Sequence, residues 1–204
     1  MSMTEIKTLV MYAPIKDVDM TAPLVPSERQ REIDGCKNEM VRREKYLVWK
    51  LLEKAVKRCF NLDIANLTFT KNEFGQWLCP DFFFSLSHTA GAVCVAVSRH
   101  KVGVDIEKIK EVRPELSSRF LTGSELELIK ELDLEERGRF FLEAWVKKES
   151  IFKMHGGESL MPRSIDTVEC DVIVESVCVF GEKYLIALAS ENQEKYEIIY
   201  TEEI

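Results

Sequence analysis

Val102-Gly103-Val104-Asp105-Ile106-Glu107 is the stretch on which the reading of this chain turns. Side chains of a strand alternate between its two faces. Val102, Val104 and Ile106 therefore share one face, turned to a core, and Gly103, Asp105 and Glu107 share the other. Two carboxylates at i and i+2 grip a hard cation from one side. The glycine beside them leaves room for a ligand to approach the backbone. The same pattern also describes a half-buried strand with a polar outer face, and these six residues do not choose between the two.

Working outward, Trp145-Val146-Lys147-Lys148-Glu149-Ser150-Ile151-Phe152-Lys153 lies in a helix predicted over Glu135–Met154. Trp145, Glu149 and Lys153 fall at i, i+4 and i+8, along one face. Glu149 is placed to add a third carboxylate to a magnesium site. Lys153, one turn on, is placed to neutralise or protonate a phosphate leaving group. An ordinary Glu–Lys pair on a solvated face has the same spacing. Upstream, Phe84-Ser85-Leu86-Ser87-His88-Thr89-Ala90-Gly91 puts hydroxyls and an imidazole at a strand end, which suits phosphate contacts. No G-x-S-x-G elbow surrounds the Ser-His pair, so it does not read as a nucleophile. His88 reads equally as a turn residue.

The remaining chain frames these segments. Strands are predicted at Leu9–Ile15, Leu67–Thr70, Phe82–Leu86, Ala92–Ser98, Val102–Glu107, Val168–Val174, Val177–Phe180, Tyr184–Ala189 and Tyr196–Tyr200. His88–Gly91 reads as the turn between two of them. Helices are predicted at Asn38–Phe60, where Val48, Leu51, Leu52, Ala55, Val56 and Cys59 form one apolar face, and at Leu116–Phe120 and Gly123–Leu132. Pro23 and Pro26 make residues 20–35 read as loop. The order, a strand running into helix and back to strands twice over, indicates an α+β fold made of two similar α/β subdomains.

Composition narrows the class. The 204 residues are 46% hydrophobic and 31% charged, enough apolar content for a sizeable core. The longest apolar run, Ala92–Val97, is far short of the about 20 residues that cross a membrane, so no membrane partner is expected. The first residues lack the layout of a signal peptide. Six cysteines show no C-x-x-C pair and stand apart from the three histidines, so a structural zinc site is not expected. They read as reduced thiols in a cytoplasmic protein. The net charge of −7 argues against nucleic acid as a partner. It is uneven: residues 1–98 carry net +1 and residues 99–204 net −8. A basic cluster facing carboxylates is one way to hold an anionic ligand through a metal ion, and solvated faces alone produce the same asymmetry.

Taken in order, Phe84-Ser85-Leu86-Ser87-His88-Thr89, Gly103-Val104-Asp105-Ile106-Glu107 and Trp145-Val146-Lys147-Lys148-Glu149-Ser150 resemble the signatures of the 4′-phosphopantetheinyl transferases. The chain length is similar to that of the surfactin-type branch, and the resemblance covers roughly residues 72–160. It implies two subdomains, 1–98 and 99–204, related by a pseudo-twofold, in a monomer with its site in the cleft between them. It implies Mg2+ on Asp105, Glu107 and Glu149, holding the pyrophosphate of coenzyme A. A serine of an apo acyl or peptidyl carrier protein would attack the β-phosphate, Glu149 would help deprotonate it, and Lys153 would stabilise or protonate the departing 3′,5′-ADP. Ser87 and His88 would contact phosphates of coenzyme A. The basic pocket for the 3′-phosphate would come from the first half, where Arg43, Lys45 and Lys50 are candidates and Lys71 a further one. The family often carries Gly-Lys-Pro upstream of the Ser-His motif, whereas this chain has Gly75-Gln76-Trp77, with Gln76 where a lysine is usual.

The family's partners present an acidic helix, and the second half of this chain is itself acidic. Docking is therefore expected through apolar Leu116, Phe120 and Leu121, with Arg113 and Arg119 as local positive points. Those apolar residues also fit plain core. The cellular roles implied are fatty-acid, polyketide or nonribosomal-peptide synthesis. Two other readings remain open at this level: another magnesium-dependent phosphate or nucleotide enzyme, and a non-catalytic module that binds coenzyme A.

Overall fold

Three strands that are apolar on both faces and two long helices that are apolar on one side stack the described residues in four layers, helix, sheet, sheet, helix. The computed structural model describes residues 8–110, 119–157, 164–192 and 195–204. The first sheet joins β1 (Thr8–Pro14), β4 (Phe83–Thr89), β5 (Ala92–Ser98) and β9 (Tyr196–Tyr200) in the order β4-β5-β1-β9. The second joins β6 (Val102–Lys108), β7 (Ile173–Val179) and β8 (Glu182–Ser190) in the order β6-β8-β7. Between β1 and β4, β2 (Thr70–Lys71) and β3 (Trp77–Leu78) form a small hairpin. All pairings are antiparallel except β1–β9, by which a strand from the end of the chain enters the sheet of the first half.

Helix α2 (Glu39–Phe60) covers the outer face of the first sheet. It starts where the Asn38 side chain accepts from the Met40 and Val41 amides, and it ends at Asn61 in the left-handed conformation. Its apolar side, with Leu47, Val48, Leu51, Leu52, Ala55 and Val56, packs on Val93, Val95 and Val97 of β5 and on Leu9 and Met11 of β1. Trp49, fully buried, meets Phe69, Trp77 and Phe84 edge-on and donates its ring N–H to the Val25 carbonyl at 2.6 Å. The opposite face of β5 presents Ala92, Cys94 and Ala96. These small residues let the second sheet approach, and Val102, Val104, Ile106, Tyr184, Ile186 and Leu188 fill the space between the sheets. The face predicted for Val102, Val104 and Ile106 is the one observed.

Helix α4 (Leu134–Met154) covers the outer face of the second sheet through Leu142 and Val146 against Leu185 and Ala187. Its start is a capping box of Asp133 and Glu136. A short helix α3 (Gly123–Leu128) precedes it. Buried Glu125 of α3 ties the two together. It accepts from Lys148 Nζ at 2.7 Å and from the Thr167 hydroxyl and amide at 2.6 and 3.0 Å.

Four expectations change. Residues 20–35 contain helix α1 (Ser27–Asp34), because a proline that breaks a helix interior suits its start, where the N–H has no partner. The strand expected at 67–70 is reduced to Thr70–Lys71. The two strands expected over 168–180 are one, Ile173–Val179, and the residues just before it are irregular. His88 and Thr89 belong to β4, and the turn to β5 is Ala90-Gly91 alone, with Gly91 at φ +94°.

Candidate active site

Strand alternation builds this site. Along β4, Ser85, Ser87 and Thr89 lie opposite Ala96, Cys94 and Ala92 and so face the second sheet, while Phe84 and Leu86 turn to the α2 side. The hydroxyls meet the outer edge of β6. Ser85 Oγ accepts from the Val104 amide at 3.0 Å, and Ser87 Oγ accepts from the Ile106 amide at 3.3 Å. Ser87 also donates to Asp105 Oδ1 at 2.7 Å, and Thr89 donates to Glu107 Oε2 at 3.0 Å. Side-chain hydroxyls of one sheet thus bond to two backbone amides and to one oxygen of each carboxylate on the edge strand of the other. Ser87 is buried with its hydroxyl already committed.

From the other side comes α4. Lys153 Nζ donates to Asp105 Oδ1 at 2.6 Å and to Ser87 Oγ at 3.0 Å. Helix and strand come this close because position 103 is glycine. A Cβ there would lie 1.9 Å from the Ser150 carbonyl oxygen and 2.6 Å from the Met154 nitrogen. The space expected beside Gly103 for a ligand is taken by the backbone of α4, which corrects that reading. The polar face of the strand packs against a helix and is not open.

Asp105 is 5% exposed, and its Oδ2 has no hydrogen-bond partner. A carboxylate buried with one bare oxygen calls for a cation. Lys153 meets only the other oxygen. Burial first, and then the charge of Asp105, push Glu107 above the ordinary carboxylate range, against the Thr89 hydrogen bond and the charges of Lys110 and Lys153. Burial likewise raises Glu149, with Lys153 opposing and Asp105 and Glu107 adding to it. The three carboxylates therefore lie within one another's electrostatic reach. Among the described residues, no three His, Cys, Asp or Glu side chains are drawn together tightly enough to hold a metal ion as they stand. The donor set nevertheless fits a hard divalent cation: oxygen ligands only, two raised carboxyls and one orphaned oxygen.

Next to Lys153 is a cavity of about 280 Å3, lined by Phe74, Gln76, Trp77, Phe84, Leu86 and Phe152 among others. Its walls are apolar and aromatic, with the lysine at one side.

The other expected residues are placed as follows. His88 Nδ1 is 3.1 Å from Glu44 Oε2 of α2. Desolvation, followed by the positive charges of Lys153, Arg29 and Lys45, holds the imidazole below its ordinary pKa. Lys45 and Arg29 thus share His88's surroundings. Arg43 is paired with Asp17 at 2.9 Å and Glu39 at 3.4 Å, and Lys71 is paired with Glu32. Leu121 is 2% exposed and packs with Phe141 and Ala144, so it is core. Phe120 stacks edge-on against Trp145, with ring centroids 5.0 Å apart. Leu116 and Arg113 lie outside the described residues.

Sequence reasoning missed Thr89, Arg29 and Glu44. Thr89 was legible in principle, since i+2 from Ser87 puts it on the same strand face. Arg29 was hidden by the loop reading of 20–35. Glu44 gave no signal within the charged face of α2.

Residues 101–200 match the 4′-phosphopantetheinyl transferase superfamily. The chain is 30% identical over 115 residues to the 4′-phosphopantetheinyl transferase Sfp of Bacillus subtilis (strain 168), covering 55% of this chain and 51% of that protein. It is 31% identical over 113 residues to the 4′-phosphopantetheinyl transferase gsp of Aneurinibacillus migulanus, covering 55% and 48%. Over a longer match of 144 residues it is 25% identical to the 4′-phosphopantetheinyl transferase psf-1 of Bacillus pumilus, covering 69% and 62%. The first two matches span about half the length of these relatives.

Proposed function

We propose, of a chain that belongs through its residues 101–200 to the 4′-phosphopantetheinyl transferase superfamily, that it moves the phosphopantetheine arm of coenzyme A onto a serine of an apo acyl or peptidyl carrier protein, releasing 3′,5′-ADP. The observation that carries this reading is the meeting of Asp105, Ser87 and Lys153 where β4, β6 and α4 converge, with Glu107 and Glu149 in the same field.

Mg2+ is the cofactor proposed, on Asp105, Glu107 and Glu149; when bound it supplies charge neutralisation at the pyrophosphate. Phosphoryl transfer needs neutralised charge and in-line positioning more than a covalent group on the enzyme. Glu149, its carboxyl raised by burial, takes the proton of the carrier serine as the serine oxygen bonds to the β-phosphorus. The bond from that phosphorus to the bridging oxygen breaks, and the electron pair leaves with 3′,5′-ADP. Lys153 meets the negative charge on that oxygen. Ser87 holds Asp105 and Lys153 in register, and Thr89 does the same for Glu107. His88, with Arg29 and Lys45 around it, forms the basic side that takes a further phosphate of coenzyme A. Arg43 and Lys71 join that side when their acidic partners release them. Phe120 remains the carrier contact of the expected trio that reaches the described surface.

The reading places the reaction in the cytoplasm, in a monomer built from the 1–98 and 99–204 halves. Among the described residues no helix is long and apolar enough to cross a membrane, and none of the six cysteines is in a disulfide. The test is incubation with coenzyme A, Mg2+ and an apo carrier, read by intact mass. A carrier heavier by one phosphopantetheine supports the reading. Hydrolysis of coenzyme A or a nucleotide without carrier modification, or coenzyme A binding with no reaction, replaces it with one of the two alternatives.

A further inference from the structure

A helix ends with four carbonyls that lack intrahelical partners. At the end of α4 these are the carbonyls of Ile151, Phe152, Lys153 and Met154, and two glycines come soon after them, Gly156 at φ +84° and Gly157 at φ +75°. Left alone, such an end frays. Here the chain's own backbone closes part of it, the His155 amide donating to the Ile151 carbonyl at 3.1 Å and the Gly157 amide to the Phe152 carbonyl at 3.2 Å, and the loop between β2 and β3 adds side-chain donors. Gln76 Nε2 donates to the Lys153 carbonyl at 3.0 Å, alongside the Gly156 amide at 3.2 Å. Asn72 Nδ2 donates to the Gly156 carbonyl at 2.7 Å.

The loop that supplies these donors is itself fixed. Asn72 Oδ1 accepts from the Gln76 amide at 2.8 Å and the Phe74 amide at 3.1 Å. The Asn72 amide donates to the Gln76 carbonyl at 3.0 Å, and Gly75 turns the chain at φ +82°. Only the NH2 of Gln76 can serve a carbonyl, which fixes the orientation of its amide and leaves Oε1 buried without a hydrogen-bond partner. An amide that leaves its own acceptor unpaired to reach a helix end is placed there for its donor.

We propose that Asn72 and Gln76 are positioning residues for Lys153: their loop clamps the last turn of α4 and so sets where the Lys153 ammonium meets Asp105 and Ser87. Lys153 is then held at both ends, its carbonyl by Gln76 and its Nζ by Asp105 and Ser87. A long side chain reaches a given point reproducibly only when its backbone is fixed, and misplacement by about 1 Å costs a reacting group on the order of 100-fold. The departure at Gln76 thereby gains a role. A neutral amide serves the helix end without adding charge beside the lysine. For what Lys153 does in turnover, the proposal rests on the transferase reading above.

The test compares wild type with Gln76→Met, which keeps the shape and removes the donor, each with and without Lys153→Ala. Gln76→Met is expected to lower kcat by about tenfold, with the carrier KM unchanged, and to have no further effect once Lys153 is alanine. An equal loss in both backgrounds makes Gln76 a general structural residue and overturns the proposal. A second readout needs no turnover: the 15Nζ resonance of Lys153 shifts in Gln76→Met while that of Lys148 stays in place. An unmoved Lys153 resonance also overturns it. Should Gln76→Met fail to fold, Asn72→Ser removes the bond to Gly156 and is judged by the same two readouts. If wild type modifies no carrier, the transferase reading falls, and the Lys153 resonance alone decides the clamp.

Discussion

Lys153 Nζ lies 2.6 Å from Asp105 Oδ1, so the lysine proposed to face the leaving phosphate and the first carboxylate proposed to face the metal form one ion pair. Neither is fully exposed, and Ser87 bonds to both. Removing one partner of such a pair leaves the other charge uncompensated. Asp105→Ala is expected to abolish transfer and to raise the Mg2+ concentration needed for any residual rate. Circular dichroism and a Mg2+ titration of the rate check this; near wild-type turnover at limiting Mg2+ removes Asp105 from the metal site.

Glu149 and Lys153 lie one turn apart on α4 and are assigned different work. Glu149→Gln keeps shape and one oxygen ligand but loses the base, so kcat collapses while coenzyme A still binds. Lys153→Ala costs on the order of 100-fold in kcat, the size of one positioned charge. Lys153→Arg restores charge without the compact donor geometry and rescues only part. Melting temperature and kcat measured together separate this from a surface ion pair, whose loss costs a few tenths of a kcal/mol and no rate.

The raised carboxyls of Glu107 and Glu149 give a pH dependence with a definite sign. A carboxyl lifted above its ordinary range takes up its proton at a higher pH than a free one. Mg2+ must displace that proton to bind. The half-saturating Mg2+ concentration is therefore expected to rise as pH falls from neutral into the mildly acid range. Calorimetric titration at several pH values checks it; a flat profile contradicts the assignment of both glutamates.

Gly103→Ala puts a methyl into the α4 backbone at Ser150 and Met154. Backbone cannot rotate aside as a side chain can, so the helix must lift from the strand. The loss of stability is expected at about 3 kcal/mol, the upper range for overpacking, with a larger fall in rate than in stability because Lys153 moves with the helix. Urea unfolding and kcat on the same sample measure both.

Much of this was legible in the residues. Alternation placed Asp105 and Glu107 on one face of β6, and 3.6-residue periodicity gave α2 and α4 nearly to their ends. Of the residues those motifs carry, Asp105 and Lys153 meet directly, and Glu107 and Glu149 lie in their electrostatic field. What was not legible depended on how layers stack. Gly103 looked like an opening because a sequence does not show what lies over a strand. Leu121 looked like a docking residue because a core position between α4 and the segment before α3 has no local signature. Ser87 was read for phosphate, while the hydroxyl bridges two sheets, a contact made only after 18 residues of chain return to it. Helix α1 was lost to a rule about proline that holds inside helices and reverses at their starts.

The most direct measurement is a single-turnover assay of one apo carrier with coenzyme A, followed by intact mass, for wild type with Mg2+, wild type with chelator, and Glu149→Gln with Mg2+. The expected result is a phosphopantetheine added to the carrier serine by wild type with Mg2+, none with chelator, and a severely slowed addition by Glu149→Gln that still binds coenzyme A. Transfer by Glu149→Gln at the wild-type rate, or transfer undiminished by chelator, contradicts the site described here.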